Sequence, residues 1–346
     1  MLLKIKNRID KELKHYIRSI DTLYSLNRIS PLLFRVIRDF ISREGKRIRP
    51  ILFVVGYLGF AKKAAPGLYR SAISLELLHD FMLIHDDIID KSETRRKKPS
   101  MHTMLNSYLL NNKSAKFNGQ DLSIVAGDVL YALALHSFLS VKEDMQRKEM
   151  ALKKLIEAAI YTGSGEFIEL LYGIKNIDKI KKEDIYKIYD FKTANYTFAS
   201  PLSMGAILAG AKKSQIIKLF QYGIYLGRAF QIKDDVLGMF GTQAKIGKSN
   251  FTDLREAKKT ILIWHAYNNA SKENKLAMKR ILSKINIDKQ DLLRMRKIIL
   301  ASGTLDYVRR EINGLIKKAE CLSRSFQMQE KYRRLLELYA EKLLAT

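Results

Sequence analysis

The stretch Leu75-Glu76-Leu77-Leu78-His79-Asp80-Phe81-Met82-Leu83-Ile84-His85-Asp86-Asp87-Ile88-Ile89-Asp90 closes an apolar run on a cluster of carboxylates. Read as a helix, it sets Asp86 and Asp90 four residues apart on one face. Two carboxylates on one face repel, so a cation must compensate them or one must hold a proton. A hard divalent cation is the natural compensator, because magnesium favours carboxylate oxygens together with substrate phosphate oxygens. An ordinary solvated acidic helix end is the other reading of this cluster when it is taken alone.

Outward from this stretch the pattern stays helical. Residues 1–43 alternate charged and apolar positions at helical spacing, and Gly45-Lys46-Arg47-Ile48-Arg49-Pro50 interrupts them. Residues 51–90 resume as apolar helices broken near 65–67. Residues 91–100 and 111–120 read as loops, 120–141, 148–171, 182–210 and 215–240 as helices, and 242–253 as a polar loop before further helix. Five prolines and 18 glycines in 346 residues punctuate the chain sparsely. With no internal repeat, low-complexity tract or splitting linker, the expectation is one all-α domain over 1–346, a single large helical bundle.

A second acidic cluster, Gln231-Ile232-Lys233-Asp234-Asp235, closes another apolar helical run. Two such helices can face each other across a cavity in a bundle, and their carboxylates could then share magnesium ions. Carboxylates plus magnesium imply a phosphate ligand, and cations stand ready to meet one. Gly45-Lys46-Arg47-Ile48-Arg49-Pro50 places three in four positions. Arg95-Arg96-Lys97-Lys98 follows the first acidic cluster, and Lys192-Thr193 and Gly247-Lys248 add ammonium and hydroxyl donors. Arginine suits bidentate phosphate contacts, whereas lysine acts as a point charge.

The net charge of +26 admits three readings: nucleic-acid binding, attraction to an anionic membrane, or a lysine-rich solvated surface around an anionic-substrate site. The third is favoured, because the lysines are scattered and no aromatic residues interleave with the basic runs as a single-strand platform needs. One cysteine, Cys321, excludes a disulfide framework and fits a reducing cytosol. Met1 to Lys14 lacks the apolar segment of a signal peptide. No stretch reads as a membrane span: residues 51–61 are too short, and 193–211 contain Asn195, Ser200, Pro201 and Ser203. The expected location is cytoplasmic.

Together these residues resemble the trans-isoprenyl diphosphate synthases, the polyprenyl synthetase family. Asp86-Asp87-Ile88-Ile89-Asp90 is similar to the short form of the family's first aspartate-rich motif, and Gln231-Ile232-Lys233-Asp234-Asp235-Val236-Leu237-Gly238 to the second. Gly45–Pro50 matches a GKRxRP element. Arg95-Arg96 with Pro99-Ser100-Met101-His102 resembles RRGxPTxH, and Asp253-Leu254-Arg255-Glu256 to Thr260 resembles DLxExKxT.

The resemblance implies an isoprenoid synthase type I bundle around a central apolar cavity. It implies that Lys46, Arg49, His79 and Arg96 bind the diphosphate of isopentenyl diphosphate. Asp86, Asp90 and Asp234 would hold magnesium. Arg95, Lys192, Thr193, Gln231, Lys233 and Lys248 would contact an allylic diphosphate. His79 lies seven residues before Asp86, two helical turns, which agrees with a place on the same face. The implied partners are these substrates and a second copy of the chain in a homodimer, with no nucleic acid, and with peripheral membrane contact open to the basic surface.

The departures are Gly238 in place of a final aspartate, Lys97 and Lys98 where a single glycine is usual, Glu166 where glutamine is usual before Glu169, and about ten extra residues between His102 and Gly127. The implied reaction ionises the allylic diphosphate, lets the double bond of isopentenyl diphosphate attack the cation, and loses a proton to the released diphosphate. By the same resemblance, the residue five before the first aspartate, Phe81, floors the product pocket, and its bulk implies geranylgeranyl diphosphate. On a helical wheel Met82 shares the aspartate face better, and both could be core residues. Farnesyl or longer-chain synthesis, a silent subunit of a heteromeric synthase and a terpene cyclase remain the rivals.

Overall fold

The structure, a computed structural model, describes residues 1–112, 114–241 and 252–345. In chain order the helices are α1 (Leu2–Tyr24), α2 (Leu26–Ile29), α3 (Pro31–Ser42), α4 (Ile48–Leu58), α5 (Leu68–Ala72), α6 (Ser74–Ile89), α7 (Met101–Leu109), α8 (Gly119–Phe138), α9 (Met145–Gly173), α10 (Lys182–Tyr189), α11 (Ser200–Leu208) and α12 (Lys213–Phe240). Beyond them come Thr252–Arg255, Ile261–Asn269, Lys272–Leu282, Lys289–Ala301, Thr304–Ser323 and Glu330–Ala345. The all-α expectation therefore holds. Two compact units emerge, one of residues 1–155 with 204–211, the other of 156–203 with 212–346.

In the first unit, α1 buries Ile5, Ile9, Leu13, Tyr16, Ile17 and Ile20 at three- and four-residue spacing, the stripe of an amphipathic helix. Ser30 caps α3 by accepting the Leu33 amide, with Pro31 at the first helical position, where its missing N–H costs nothing. Residues 50–57 of α4 are all buried, as a helix apolar all round must be. The Asn118 and Asp121 side chains form a reciprocal capping box that starts α8 after the expected 111–120 loop.

Helix α8 has the length and apolar composition of a membrane span, which the sequence reading did not single out. In the fold it packs along α6 and α7, and 44% of its apolar window is buried.

The segment 91–100, expected as a plain loop, contains a small antiparallel hairpin of β1 (Thr94–Arg95) and β2 (Lys98–Pro99). Its two-residue turn is Arg96-Lys97, with φ of 54° and 61°. A tight hairpin turn of this hand requires positive φ at both central residues, which glycine and asparagine adopt readily. A side chain there costs about 1 kcal/mol.

In the second unit the expected helix over 182–210 is present but not uniform. Asp190–Ala199 is wound with the wider π-helical hydrogen-bond pattern. Pro201 follows after Ser200; it has no N–H to give the carbonyl four residues back, and a wider turn before it accommodates that loss. Helix α12 crosses this segment closely, because Gly223 meets Ala199 and Gly227 meets Ala194 with no room for a Cβ. The close approach sets the acidic end of α12 beside Lys192 and Thr193.

Candidate active site

In the first unit, α6 carries the acidic motif at its C-terminal end. The Asp90 amide donates to the Asp86 carbonyl at 2.8 Å, which fixes the two residues one turn apart, and both side chains are half-buried. Lys91 then turns left-handed (φ 51°) and the Ser92 amide returns to the Asp87 carbonyl at 2.8 Å, ending the helix. Asp87 is different from its neighbours: it is buried and its carboxylate accepts from Arg95 Nε at 2.8 Å. Arg95 Nη2 also donates to Asp86 Oδ2 at 3.3 Å. Asp86 and Asp90 supply hard carboxylate oxygens suited to a divalent cation, while Asp87 is committed to its arginine.

Two turns back on α6, His79 is half-buried among arginines. Burial and the guanidinium groups of Arg49, Arg96, Arg95 and Arg47 hold its pKa well below the usual range, so the imidazole is neutral. Three of the residues expected to bind one diphosphate, Arg49, His79 and Arg96, are thereby brought together. Lys46 is exposed on the turn before α4.

Arg47 has another task. Its side chain is buried, donates to Glu76 Oε1 and to Asp10 Oδ1 (2.9 Å), and reaches the Arg43 carbonyl at 2.8 Å. Arg96 Nη2 donates to the same Glu76 oxygen at 3.3 Å, and its Nη1 lies 3.3 Å from Asp80 Oδ1. Burial pushes the Asp80 carboxyl up, against the opposing pull of Arg96 and with the help of Glu76. Sequence reasoning passed over Glu76 and Asp80. Their signal was present: two carboxylates four apart inside an apolar run must have buried partners.

Phe81 packs edge-on against His85, ring centroids 4.7 Å apart, and tilted against Tyr131 of α8 at 5.3 Å. Gly127 makes room for His85, since a Cβ there would lie 2.7 Å from its ring. Met82 is half-buried beside it in sequence.

In the second unit, Lys192 Nζ is held by two carboxylates of α9, Glu169 at 2.5 Å and Glu166. The unusual Glu166 thus gives this ammonium a second counter-charge. Thr193 Oγ1 donates to Gln231 Oε1 at 2.6 Å, and Gln231 Nε2 donates to Asp235 Oδ1 at 2.9 Å. The buried Asp235 also accepts from the Tyr189 hydroxyl, which itself accepts the Ile261 amide at 2.9 Å. Asp235 is therefore an internal acceptor, whereas Asp234 is exposed and Lys233 half-buried. Lys248 lies outside the described residues.

Lys259 is buried and donates to the carbonyls of Gly173 (2.9 Å) and Ala257 (2.7 Å), and burial lowers its pKa to about 8. The unfolded chain keeps this proton up to about pH 10.4, so between about pH 8 and 10.4 it binds more protons than the folded chain. This group makes stability rise with pH across that window, by about 1 kcal/mol per pH unit. Urea midpoints of Lys259→Met, compared with the unsubstituted chain from pH 7.5 to 9.5, are expected to lack that rise. A parallel rise in both proteins refutes the assignment.

The sequence profile of the polyprenyl synthetase family matches residues 30–299. The chain belongs to the polyprenyl synthetase family. It is an enzyme of the trans-prenyltransferase class. It is 31% identical to the short chain isoprenyl diphosphate synthase of Methanocaldococcus jannaschii over 86% of this chain and 82% of that one. It is 33% identical to the geranylfarnesyl diphosphate synthase of Aeropyrum pernix over 86% and 89%. The crystal structure of geranylgeranyl pyrophosphate synthase from Corynebacterium glutamicum, complexed with isoprenyl diphosphate and magnesium, superposes with a TM-score of 0.89. That match is at 26% identity and covers 99% of each chain. The fold is accordingly the all-α isoprenoid synthase fold.

Proposed function

We propose that this polyprenyl synthetase condenses isopentenyl diphosphate head to tail with dimethylallyl, geranyl or farnesyl diphosphate and releases geranylgeranyl diphosphate. The observation that carries the reading is the gathering of Arg49 of α4 and Arg96 of the hairpin around a neutral His79, on the helix that also presents Asp86 and Asp90. Lys46, Arg49, His79 and Arg96 bind isopentenyl diphosphate. Arg95, Lys192, Thr193, Gln231, Lys233 and Lys248 bind the allylic diphosphate, and Asp86, Asp90 and Asp234 hold magnesium. The bound ion supplies positive charge that stabilises the leaving diphosphate.

The protein's own cations share that task as the allylic carbon–oxygen bond breaks. The neutral His79 donates a hydrogen bond to phosphate without carrying a charge. Carbon–carbon bond formation and transfer of a proton to the released diphosphate complete the reaction, with no protein nucleophile. Residues 1–346 work as a single polyprenyl synthetase domain and as a homodimer in the cytoplasm.

The exposed face of α1 carries Lys4, Arg8, Lys11, Lys14 and Arg18, while its Asp10 and Glu12 are held in ion pairs with Lys6 and Arg47 and with Arg70. This face meets anionic membrane; co-sedimentation with vesicles that contain or lack anionic lipid tests it, and sedimentation velocity tests the dimer.

The deciding experiment incubates the purified protein with labelled isopentenyl diphosphate, magnesium and each allylic primer in turn. A twenty-carbon product that disappears with chelator and returns with magnesium is expected. A twenty-five-carbon product would favour the second reading, which rests on the 33% identity to a geranylfarnesyl diphosphate synthase. No elongation with any primer would remove the reading.

A further inference from the structure

The hairpin that carries Arg95 and Arg96 is a poor structure to hold two functional arginines by itself. Each strand is two residues long, and an isolated two-stranded hairpin is marginal in water. Both turn residues, Arg96 and Lys97, adopt the left-handed backbone that side chains disfavour. Something outside the hairpin must hold it.

The side chains of Arg95 and Arg96 are tied to carboxylates of α6, and the backbone of both strands is held by Arg43, the residue that ends α3. Its side chain is only 1% exposed. Nη1 donates to the Arg95 carbonyl on β1 at 3.2 Å, and Nη2 donates to the Pro99 carbonyl on β2 at 2.9 Å. One guanidinium thus grips both strands. Asp39, one turn back on α3, takes Nε at 3.0 Å and Nη2 at 2.8 Å, so the group is fixed from behind. Asp39 also accepts from Lys98 Nζ at 2.9 Å. The planar fork of arginine permits this set of simultaneous contacts, which a lysine ammonium cannot reproduce.

We propose that Arg43 is a positioning residue for both diphosphates: it clamps the hairpin so that Arg95 and Arg96 are presented to substrate, without touching substrate itself. This rests on the reading of Arg95 and Arg96 as diphosphate ligands. The clamp is needed because Lys97 occupies the turn. A glycine there would remove one of the two strained side-chain positions and lessen the need for the clamp.

The test is a double-mutant cycle on the full chain, comparing Arg43→Met in the unsubstituted and Lys97→Gly backgrounds, with Arg96→Ala as a control. Arg43→Met is expected to raise the KM for isopentenyl and allylic diphosphates by about tenfold, with kcat changed by less than about threefold. In the Lys97→Gly background the same substitution is expected to raise KM by less than about threefold. Hydrogen exchange of residues 94–100 is expected to accelerate in Arg43→Met and to slow again in the double variant.

Unchanged exchange and KM in folded Arg43→Met would overturn the proposal, as would an equal effect in both backgrounds. A purely structural role would lower melting temperature and active fraction without that KM coupling. If Arg96→Ala leaves the KM for isopentenyl diphosphate unchanged, the ligand reading fails instead, and the exchange data still decide the clamp. Should Arg43→Met not fold, Arg43→Lys, which keeps the charge but loses the fork, is expected to show a smaller rise of the same kind; unaltered kinetics and exchange in it would sink the clamp.

Discussion

Asp86→Asn and Asp90→Asn, made together, are expected to lower kcat at saturating diphosphates by at least about a thousandfold, equivalent to ~4 kcal/mol of barrier. The reason is the chemistry of the donor set. These two carboxylates sit one turn apart at the end of α6, half-buried, with oxygens suited to a hard cation. Charge that develops on a leaving diphosphate is stabilised by several kcal/mol through such an ion. Losing two like charges from one face does not threaten the helix.

Circular dichroism and a thermal melt should therefore show a folded protein, and added magnesium should not restore the rate. Asp87→Asn is the informative contrast. It removes the buried partner of Arg95 and leaves Asp86 as the nearer remaining counter-charge, and breaking a buried pair costs about 3 kcal/mol. Its melting temperature should fall first. A double variant that retained more than about a tenth of the activity would remove Asp86 and Asp90 from the metal site.

Much of this is legible in the sequence, for physical reasons that differ by residue. Asp86 and Asp90 were readable because helical spacing alone puts them on one face, and the observed helix ends on them as expected. Asp87 and Asp235 were not separable from their neighbours by sequence. Their burial depends on Arg95 and on Tyr189 with Gln231, contacts that no local pattern encodes.

Arg47 looked like one of three equivalent cations, yet it is a buried strut between Glu76 and Asp10. The helix over 182–210 was visible from its apolar content. Its π-helical centre is signalled in the sequence only by Pro201, through the backbone donor that this residue lacks. The hairpin at 94–99 was hidden because its turn lacks the glycine that would announce it, so its geometry rests on the tertiary contacts of Arg43.

Phe81→Ala is expected to shift the product from twenty carbons to twenty-five or more, with elongation otherwise intact. A chain growing from the aspartate end of α6 must stop against something, and the candidates are Phe81 and Met82. At about 100° per residue, Met82 lies about 40° around the helix from Asp86, and Phe81 about 140°. By angle alone Met82 is the better stop. The contacts favour Phe81, whose ring packs against both His85 and Tyr131 of α8, whereas a methionine side chain is flexible and adapts.

A braced ring makes a rigid floor, whereas methionine yields to a growing chain. Because Phe81 is half-buried, its truncation should cost less than the ~3 kcal/mol of a fully buried Phe→Ala change, and the variant should remain assayable. Mass analysis of products from farnesyl diphosphate decides between the two. Lengthening in Phe81→Ala with little change in Met82→Ala places the floor at the ring. The reverse result moves it to the methionine, and no change in either variant means that chain length is set on another helix.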